Sequence, residues 1–217
     1  RRGEHAATVA ALAAAKFNPE VVQLLMEAHR SLGQWDGLEA LLPEVRRHAA
    51  DSLAEVQNAI LFGRLRSRAT PDALRSAWRA GPKVTHGDPD AVLVYAGALS
   101  TSGASDEAEK VLRKSLESEQ LPALLEAYAS LEQAAAKGRL KSVQGWLRNA
   151  PDSPALLRAA GRIAISDGDN EAGADYLERS LRLEPNAAAE QALGELRAFN
   201  GDFARSSAHF RRALTMT

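Results

Sequence analysis

Two consecutive stretches decide the fold: PALLRAAGRIAISDGDNEAGADYLERSLRLEPN at residues 154–186 and AAAEQALGELRAFNGDFARSSAHFRRALTMT at residues 187–217. Small and large residues recur in both at one constant interval, from Gly161 to Gly194, Gly168 to Gly201, Leu177 to Phe210, and Ser180 to Ala213. We call this interval one repeat. A fixed period of this length is typical of arrays of helix pairs, which need small residues where the two helices of a pair approach closely. Glycines at the middle of each stretch are then predicted to form the turn within the pair.

The pattern resembles the tetratricopeptide repeat, a unit of about 34 residues with a glycine in its first helix (helix A) and a small residue before an aromatic one in its second (helix B). The same template fits residues 19–50 and 89–120 less closely, and residues 51–80 and 121–150 are interpreted as degenerate helix pairs. The sequence therefore predicts an all-α fold in which about thirteen helices stack as antiparallel pairs into a right-handed superhelix. We expect residues 1–217 to form a single solenoid domain.

Two tryptophan-containing segments narrow the resemblance. One runs through NPEVVQLLMEAH and GQWDGL around Trp35, and the other through LRSAWR and KVTH around Trp78. Together they look like the carboxy-terminal repeat region of the bacterial HemY family, which is associated with haem biosynthesis and is distinct from the flavin-dependent oxidase of the same name. Membership would imply an inner-membrane protein with an anchor and further repeats upstream and with its repeat domain on the cytoplasmic side. It would also imply a role late in protohaem synthesis as a scaffold or regulator.

Composition restricts the function classes. The formal net charge is -1, from 27 basic and 28 acidic residues, whereas a dedicated nucleic-acid binder usually shows a clear basic excess. The chain has no cysteine, which excludes disulfides, thiolate metal sites and a cysteine nucleophile. No P-loop, G-x-S-x-G or H-E-x-x-H motif occurs. We therefore expect no catalytic activity, no metal site, no bound cofactor and no nucleic-acid partner.

Three of the five histidines have predicted environments. His29 occupies a helix A position that usually packs inward, and His209 precedes the core position Phe210 and is expected at a helix surface. His86 lies in a predicted loop at residues 83–89, which makes it the most exposed candidate for a ligand such as haem iron.

A partner-binding groove can be predicted from repeat positions, because the resemblance implies that residues two, five, nine and twelve of helix A face the concave surface. The corresponding residues are Gln23, Glu27, Arg30, Arg158, Arg162, Gln191 and Glu195. Arg158 and Arg162 are four residues apart and share one helical face, so their guanidinium groups could grip a carboxylate of a partner. The alternative is that they face solvent or pair within the chain, with Glu184, Glu190 or Glu195.

A cluster of basic residues forms a second candidate surface, interrupted only by Asp72. This basic patch comprises Arg64, Arg66, Arg68, Arg75, Arg79 and Lys83. It would suit anionic lipid headgroups, the propionates of a porphyrin or an acidic partner. The alternative is a solvated helical edge without a ligand.

The sequence thus favours a protein-interaction scaffold whose groove holds a segment of another protein, with haem-biosynthesis enzymes among the candidate partners. The second hypothesis is a binder of haem or a porphyrin intermediate, held by the basic patch or by His86.

Overall fold

The computed structural model describes residues 2–12, 15–67, 70–131 and 136–216, without the side chains of Arg2, Ala136 and Lys137. Within those residues the chain forms fourteen α-helices and two short 3-10 helices, and it has no β-strand. The predicted all-α fold class is therefore confirmed. The chain divides into two compact units, Arg1–Gly103 and Ala104–Thr217, which are described separately below. That one solenoid domain spans residues 1–217 stays a prediction.

The first unit contains seven α-helices: α1 (Arg2–Leu12), α2 (Pro19–Leu32), α3 (Trp35–Ala40), α4 (Leu42–His48), α5 (Leu53–Arg66), α6 (Pro71–Ala80) and α7 (Pro89–Thr101). Its 3-10 helices cover Ala50–Ser52 and Lys83–Gly87. The second unit contains the other seven: α8 (Ser105–Ser118), α9 (Pro122–Ala129), α10 (Ala136–Leu147), α11 (Pro154–Ser166), α12 (Asn170–Leu183), α13 (Ala187–Phe199) and α14 (Phe203–Leu214).

Most helix boundaries follow from proline and capping residues. Proline occupies the first turn of α2, α6, α7 and α11, where its missing N–H removes no intrahelical hydrogen bond. In each case the preceding side chain accepts a hydrogen bond from a backbone N–H of the first turn; these capping residues are Asn18, Thr70, Asp88 and Ser153. The helix starts predicted from Pro19, Pro89 and Pro154 are thus confirmed.

The count of fourteen rather than thirteen helices has a local cause. The predicted helix B after Trp35 is divided at Leu41 into α3 and α4. Pro43 lies in the first turn of α4 and cannot donate a hydrogen bond to the carbonyl of Glu39, and its ring would clash with that carbonyl in a continuous helix. The chain therefore restarts a helix at Leu42.

The predicted close approach of helices is present in the second unit. A Cβ placed on Gly161 of α11 would lie 2.7 Å from Cγ of Leu177 in α12, and one on Gly173 would touch Ile165. Later positions on α11 thus meet earlier positions on α12, which makes the pair antiparallel. One repeat further on, a Cβ on Gly194 would lie 2.9 Å from the Phe210 ring. The constant interval in the sequence therefore corresponds to a repeated packing contact.

Candidate functional site

In the first unit, the predicted groove residues of α2 line one cavity. Gln23, Glu27 and Arg30 surround a space of about 380 Å³ together with Glu55 and Val56 from α5, the next helix A along the chain. A guanidinium nitrogen of Arg30 lies 2.7 Å from a carboxylate oxygen of Glu55. Both side chains are more than half exposed, so this ion pair is screened by water and a binding partner can displace it at small cost.

In the second unit, Arg158 and Arg162 hold one carboxylate of their own chain. Nε of Arg158 and a terminal nitrogen of Arg162 each lie 2.7 Å from a different oxygen of Glu126, in α9. The alternative partners expected from the sequence, Glu184, Glu190 and Glu195, were wrong. The carboxylate instead comes from the preceding helix A, because the same face of successive helices A meets from one repeat to the next.

This pairing separates the two arginines as candidates for partner binding. The side chain of Arg158 is only 8% exposed, and its guanidinium group is already engaged. Arg162 is 36% exposed and also lines a neighbouring cavity. Of the two, only Arg162 is placed where a partner could contact it.

The cavity beside Arg162 measures about 550 Å³ and is lined mainly by three consecutive helices A and the turn after α9. Its apolar lining includes Leu131, Ile165, Leu196 and Phe199, and its polar lining includes Arg162, Asn170 and Glu195. The Phe199 side chain is 83% exposed at the edge of this cavity. The amide of Gln191, another predicted groove residue, donates a hydrogen bond to Glu195 at 2.9 Å and so orients that carboxylate.

Sequence reasoning missed the apolar part of this cavity. The repeat template considered only residues two to twelve of helix A, whereas Phe199 is the last residue of α13. A usable signal was present, because Phe199 follows Ser166 by one repeat, and both line the cavity. A bulky aromatic side chain at the end of an exposed helix, directly before a turn, is a candidate contact residue.

The basic patch is partly neutralised within the first unit. Arg64 lies 2.7 Å from Glu39 and 2.6 Å from Asp36, and the hydrogen bond to Glu39 raises the pKa of Arg64 above its ordinary value. Arg75 pairs with Asp72 at 2.6 Å.

The other members of the patch have varied surroundings. The Arg66 guanidinium lies 5.6 Å from the centre of the Phe62 ring, and Nε of Arg79 donates to the carbonyl oxygen of Arg75 at 3.3 Å. Lys83 is exposed at the start of a 3-10 helix, and Arg68 lies outside the described residues. A binding role for this surface stays a prediction.

His86 does not lie in an exposed loop, contrary to expectation. It is half-buried in the 3-10 helix Lys83–Gly87, and its ring stacks on Trp78 with 4.5 Å between ring centres. Trp78 in turn stacks on Tyr95. Nε2 of His86 lies 2.7 Å from the carbonyl oxygen of Trp78, so one of the two ring nitrogens is already used within the fold.

His29 and His209 also have defined contacts. The His29 ring packs against Gly37, and its Nδ1 lies 2.9 Å from the side-chain oxygen of Gln34. His209 was expected at a helix surface, but its side chain is only 14% exposed and lies 2.6 Å from Glu190. The surface expectation was wrong because the carboxylate of the adjacent helix α13 covers the imidazole.

Glu190 is the most buried carboxylate in this network. Burial alone would raise its pKa, but hydrogen bonds from Arg212 and His209 outweigh burial and lower the pKa of Glu190 below its ordinary value. The Arg212 bond measures 2.7 Å. This cluster ties α13 to α14 and leaves Glu190 without an open position for a ligand.

Two searches of the described residues were negative. They contain no group of three or more His, Asp or Glu side chains arranged to hold a metal ion. Among the helices built from them, none combines the length and the apolar character that crossing a bilayer requires.

Comparison with known proteins gives a distant structural likeness only. No family model matches the chain, and no curated protein does. One similar solved structure is MamA, residues 41 to the end, from Desulfovibrio magneticus RS-1, at 20% identity and a TM-score of 0.46. Another is a MamA RS-1 ArsTM double mutant, at 20% identity and a TM-score of 0.45. Each alignment covers 75% of this chain and 93% of the other. Scores this low carry no argument, so the fold assignment rests on the helix packing described above.

Proposed function

We propose that this protein is an interaction scaffold that holds a segment of a partner protein against the helix A surface of its second unit. The observation that carries the proposal is the cavity of about 550 Å³ at which α11 and α13 present apolar side chains beside Arg162 and Glu195. A concave, mostly apolar surface with a few polar groups is the usual form of a binding site. The exposed ring of Phe199 adds an aromatic anchor of the kind that dominates protein interfaces.

The lining indicates the chemistry of the bound segment. Ile165, Leu196 and Phe199 favour apolar side chains, and Arg162 and Glu195 offer charges of opposite sign on neighbouring helices. An amphipathic helix or extended peptide can satisfy both features, with apolar residues on one face and polar residues at its edge. The corresponding cavity around Gln23, Glu27 and Arg30 gives the first unit a separate surface for the same purpose.

The partner class is a narrower proposal and rests on the resemblance to HemY alone. On that basis the partners are enzymes of late protohaem synthesis, and the protein acts on the cytoplasmic side of the inner membrane. Porphyrin binding is the alternative and has weaker support. Arg64 and Arg75 of the basic patch already face carboxylates, and His86 uses one ring nitrogen within the fold.

Photocrosslinking at the cavity tests the scaffold proposal. A photoreactive phenylalanine analogue replaces Phe199, whose exposure makes the change tolerable, and a second protein carries it at Val84, which is 85% exposed in the other unit. After irradiation in a native extract, adducts are identified by mass spectrometry. The expected result is a partner joined at position 199 and absent at position 84.

Binding of the identified partner is then measured with purified proteins. Phe199→Glu is expected to weaken binding by about tenfold or more, as loss of an aromatic anchor does, while Val84→Glu leaves the affinity unchanged. Equal crosslinking at both positions, or an affinity that Phe199→Glu does not alter, would show that the cavity is not the binding surface. Reversing both Arg158 and Arg162 to glutamate is a poor test, because it would place three carboxylates together around Glu126 and destabilise the fold.

A further inference from the structure

The packing of α13 on α12 shows how a helix docks against a helix B of this chain. Leu177 of α12 is fully buried against Ala189 and Leu193 of α13. Ala174 and Leu181, one turn to either side of Leu177, pack against the same cluster. Helix α12 therefore buries one stripe under a following helix that presents a small residue and a leucine four positions apart.

Helix α14 repeats α12 in the same backbone register. The capping residues Asp169 and Asp202 each accept a hydrogen bond from the backbone N–H three residues later. Leu177 packs against Gly161, and Phe210 packs against Gly194, one repeat further along in both cases. Positions on α12 can therefore be transferred to α14 by moving one repeat along the chain.

The transferred stripe on α14 is exposed. Ala174, Leu177 and Leu181 correspond to Ser207, Phe210 and Leu214. Ser207 is exposed, Phe210 is half-buried, and Leu214 is 75% exposed. The surface that α12 buries under α13 is thus open to solvent on α14, and it includes a large aromatic ring.

Charge distinguishes the helix that would fit α14 from α13 itself. Arg197 of α13 lies 3.4 Å from Glu178 of α12. The residue that corresponds to Glu178 is Arg211, which is exposed on α14. A helix docked in the same way would therefore face an arginine where α13 faces a glutamate, and it would need an acidic residue in place of Arg197.

We propose that α14 docks an amphipathic α-helix of a partner protein, in the position that α13 takes on α12. The partner helix presents a small residue, a leucine and an acidic residue at i, i+4 and i+8, which correspond to Ala189, Leu193 and Arg197. A second copy of α14 fits poorly, because that helix carries three arginines and no carboxylate. This surface is separate from the cavity at Phe199, so the inference does not depend on the proposed function.

A charge-exchange experiment tests this inference. The probes are two fluorescent peptides with the sequence of residues 186–199, one unchanged and one with Arg197→Glu. Each is titrated into the wild-type protein and into an Arg211→Glu variant whose folding is verified by circular dichroism. With the wild type, the Arg197→Glu peptide is expected to bind about three to five times more tightly, as one exposed ion pair allows. With Arg211→Glu the order is expected to reverse.

A third variant tests the location. Ser207→Arg, which places a bulky charged side chain in the exposed stripe, is expected to abolish binding of both peptides. The inference is wrong if neither peptide binds the wild type, or if Arg211→Glu leaves their order unchanged. It is also wrong if hydrogen exchange shows α14 protected before any peptide is added, because a second copy or another segment of the same protein would then already cover the face.

Discussion

Arg158 and Glu126 are 32 residues apart in the sequence, and their side chains meet at 2.7 Å between α11 and α9. Because Arg158 is 8% exposed, the charge on Glu126 balances a largely desolvated guanidinium group. Arg162 binds the second oxygen of the same carboxylate. This contact joins two successive repeats of the second unit, on the surface that leads into the proposed binding cavity.

Removal of the Glu126 charge should therefore destabilise the fold. Glu126→Gln is expected to lower the free energy of unfolding by about 2 kcal/mol, because it weakens two charged hydrogen bonds and leaves the charge of Arg158 buried. The matched control is Glu55→Gln, which breaks the exposed Arg30–Glu55 pair of equal length and should cost less than about 1 kcal/mol. Urea denaturation followed by circular dichroism measures both. Equal losses would show that burial does not determine the strength of these pairs.

Helix boundaries and helix pairing could be predicted from the sequence because their causes are local. Pro19, Pro89 and Pro154 begin helices, and Gly168 and Gly201 adopt positive φ angles in the predicted turns. The constant repeat interval then identified the contacts Gly161–Leu177 and Gly194–Phe210. Proline and glycine restrict the backbone directly, so their positions carry information without knowledge of the surroundings.

The side-chain partners at the candidate site could not be predicted in the same way. The sequence showed that Arg158 and Arg162 share a face, but the choice among several glutamates depends on how successive helices are aligned. Glu126 lies in the segment 121–150, where the repeat pattern is weakest. His86 was misplaced for a similar reason, since its stacking on Trp78 depends on contacts that the spacing alone does not reveal.

Arg139 provides a second test of buried charge. This residue is fully buried in α10, and it donates hydrogen bonds to the carbonyl oxygens of Tyr128 and Ala129 at the end of α9, at 2.8 and 3.0 Å. Burial lowers the pKa of Arg139, but its two carbonyl contacts complete the end of that helix.

Arg139→Met is expected to cost about 2 to 3 kcal/mol of stability, because it leaves these carbonyls without that donor. Arg139→Lys should restore little of the loss, since a single ammonium group cannot reproduce the planar guanidinium contacts. Thermal denaturation measures both variants. A lysine variant as stable as the wild type would show that charge alone, rather than hydrogen-bond geometry, is required.

The glycines give a pair of substitutions with opposite expected signs. Gly161→Ala places a methyl group 2.7 Å from Leu177 and 2.9 Å from the carbonyl oxygen of Gly173, and a destabilisation of about 1 to 3 kcal/mol is expected. Gly97→Ala in α7 meets no atom within 4 Å and should stabilise the protein by about 0.5 to 1 kcal/mol through helix propensity. Urea midpoints distinguish them. A neutral Gly161→Ala would mean that α11 and α12 can separate without loss of packing.

The Glu190 network predicts a pH dependence of stability. Burial opposes the charged form of Glu190, but the hydrogen bonds from Arg212 and His209 prevail, so its pKa in the folded protein lies below the ordinary value of 4.5. In the unfolded chain Glu190 therefore takes up a proton at a higher pH than in the folded protein. The stabilisation is present above the unfolded pKa and is lost as the pH falls through the folded pKa.

Wild-type stability should accordingly fall between pH 5 and pH 3 more steeply than that of Glu190→Gln, which has no carboxylate at this position to titrate. At pH 7 the variant should be less stable by about 2 kcal/mol, since it loses two charged hydrogen bonds, and the difference should shrink on acidification. Urea denaturation at half-unit pH steps provides the comparison. Parallel curves for the two proteins would mean that Arg212 and His209 do not hold the Glu190 carboxylate in its charged form, and that the link between α13 and α14 rests on apolar packing alone.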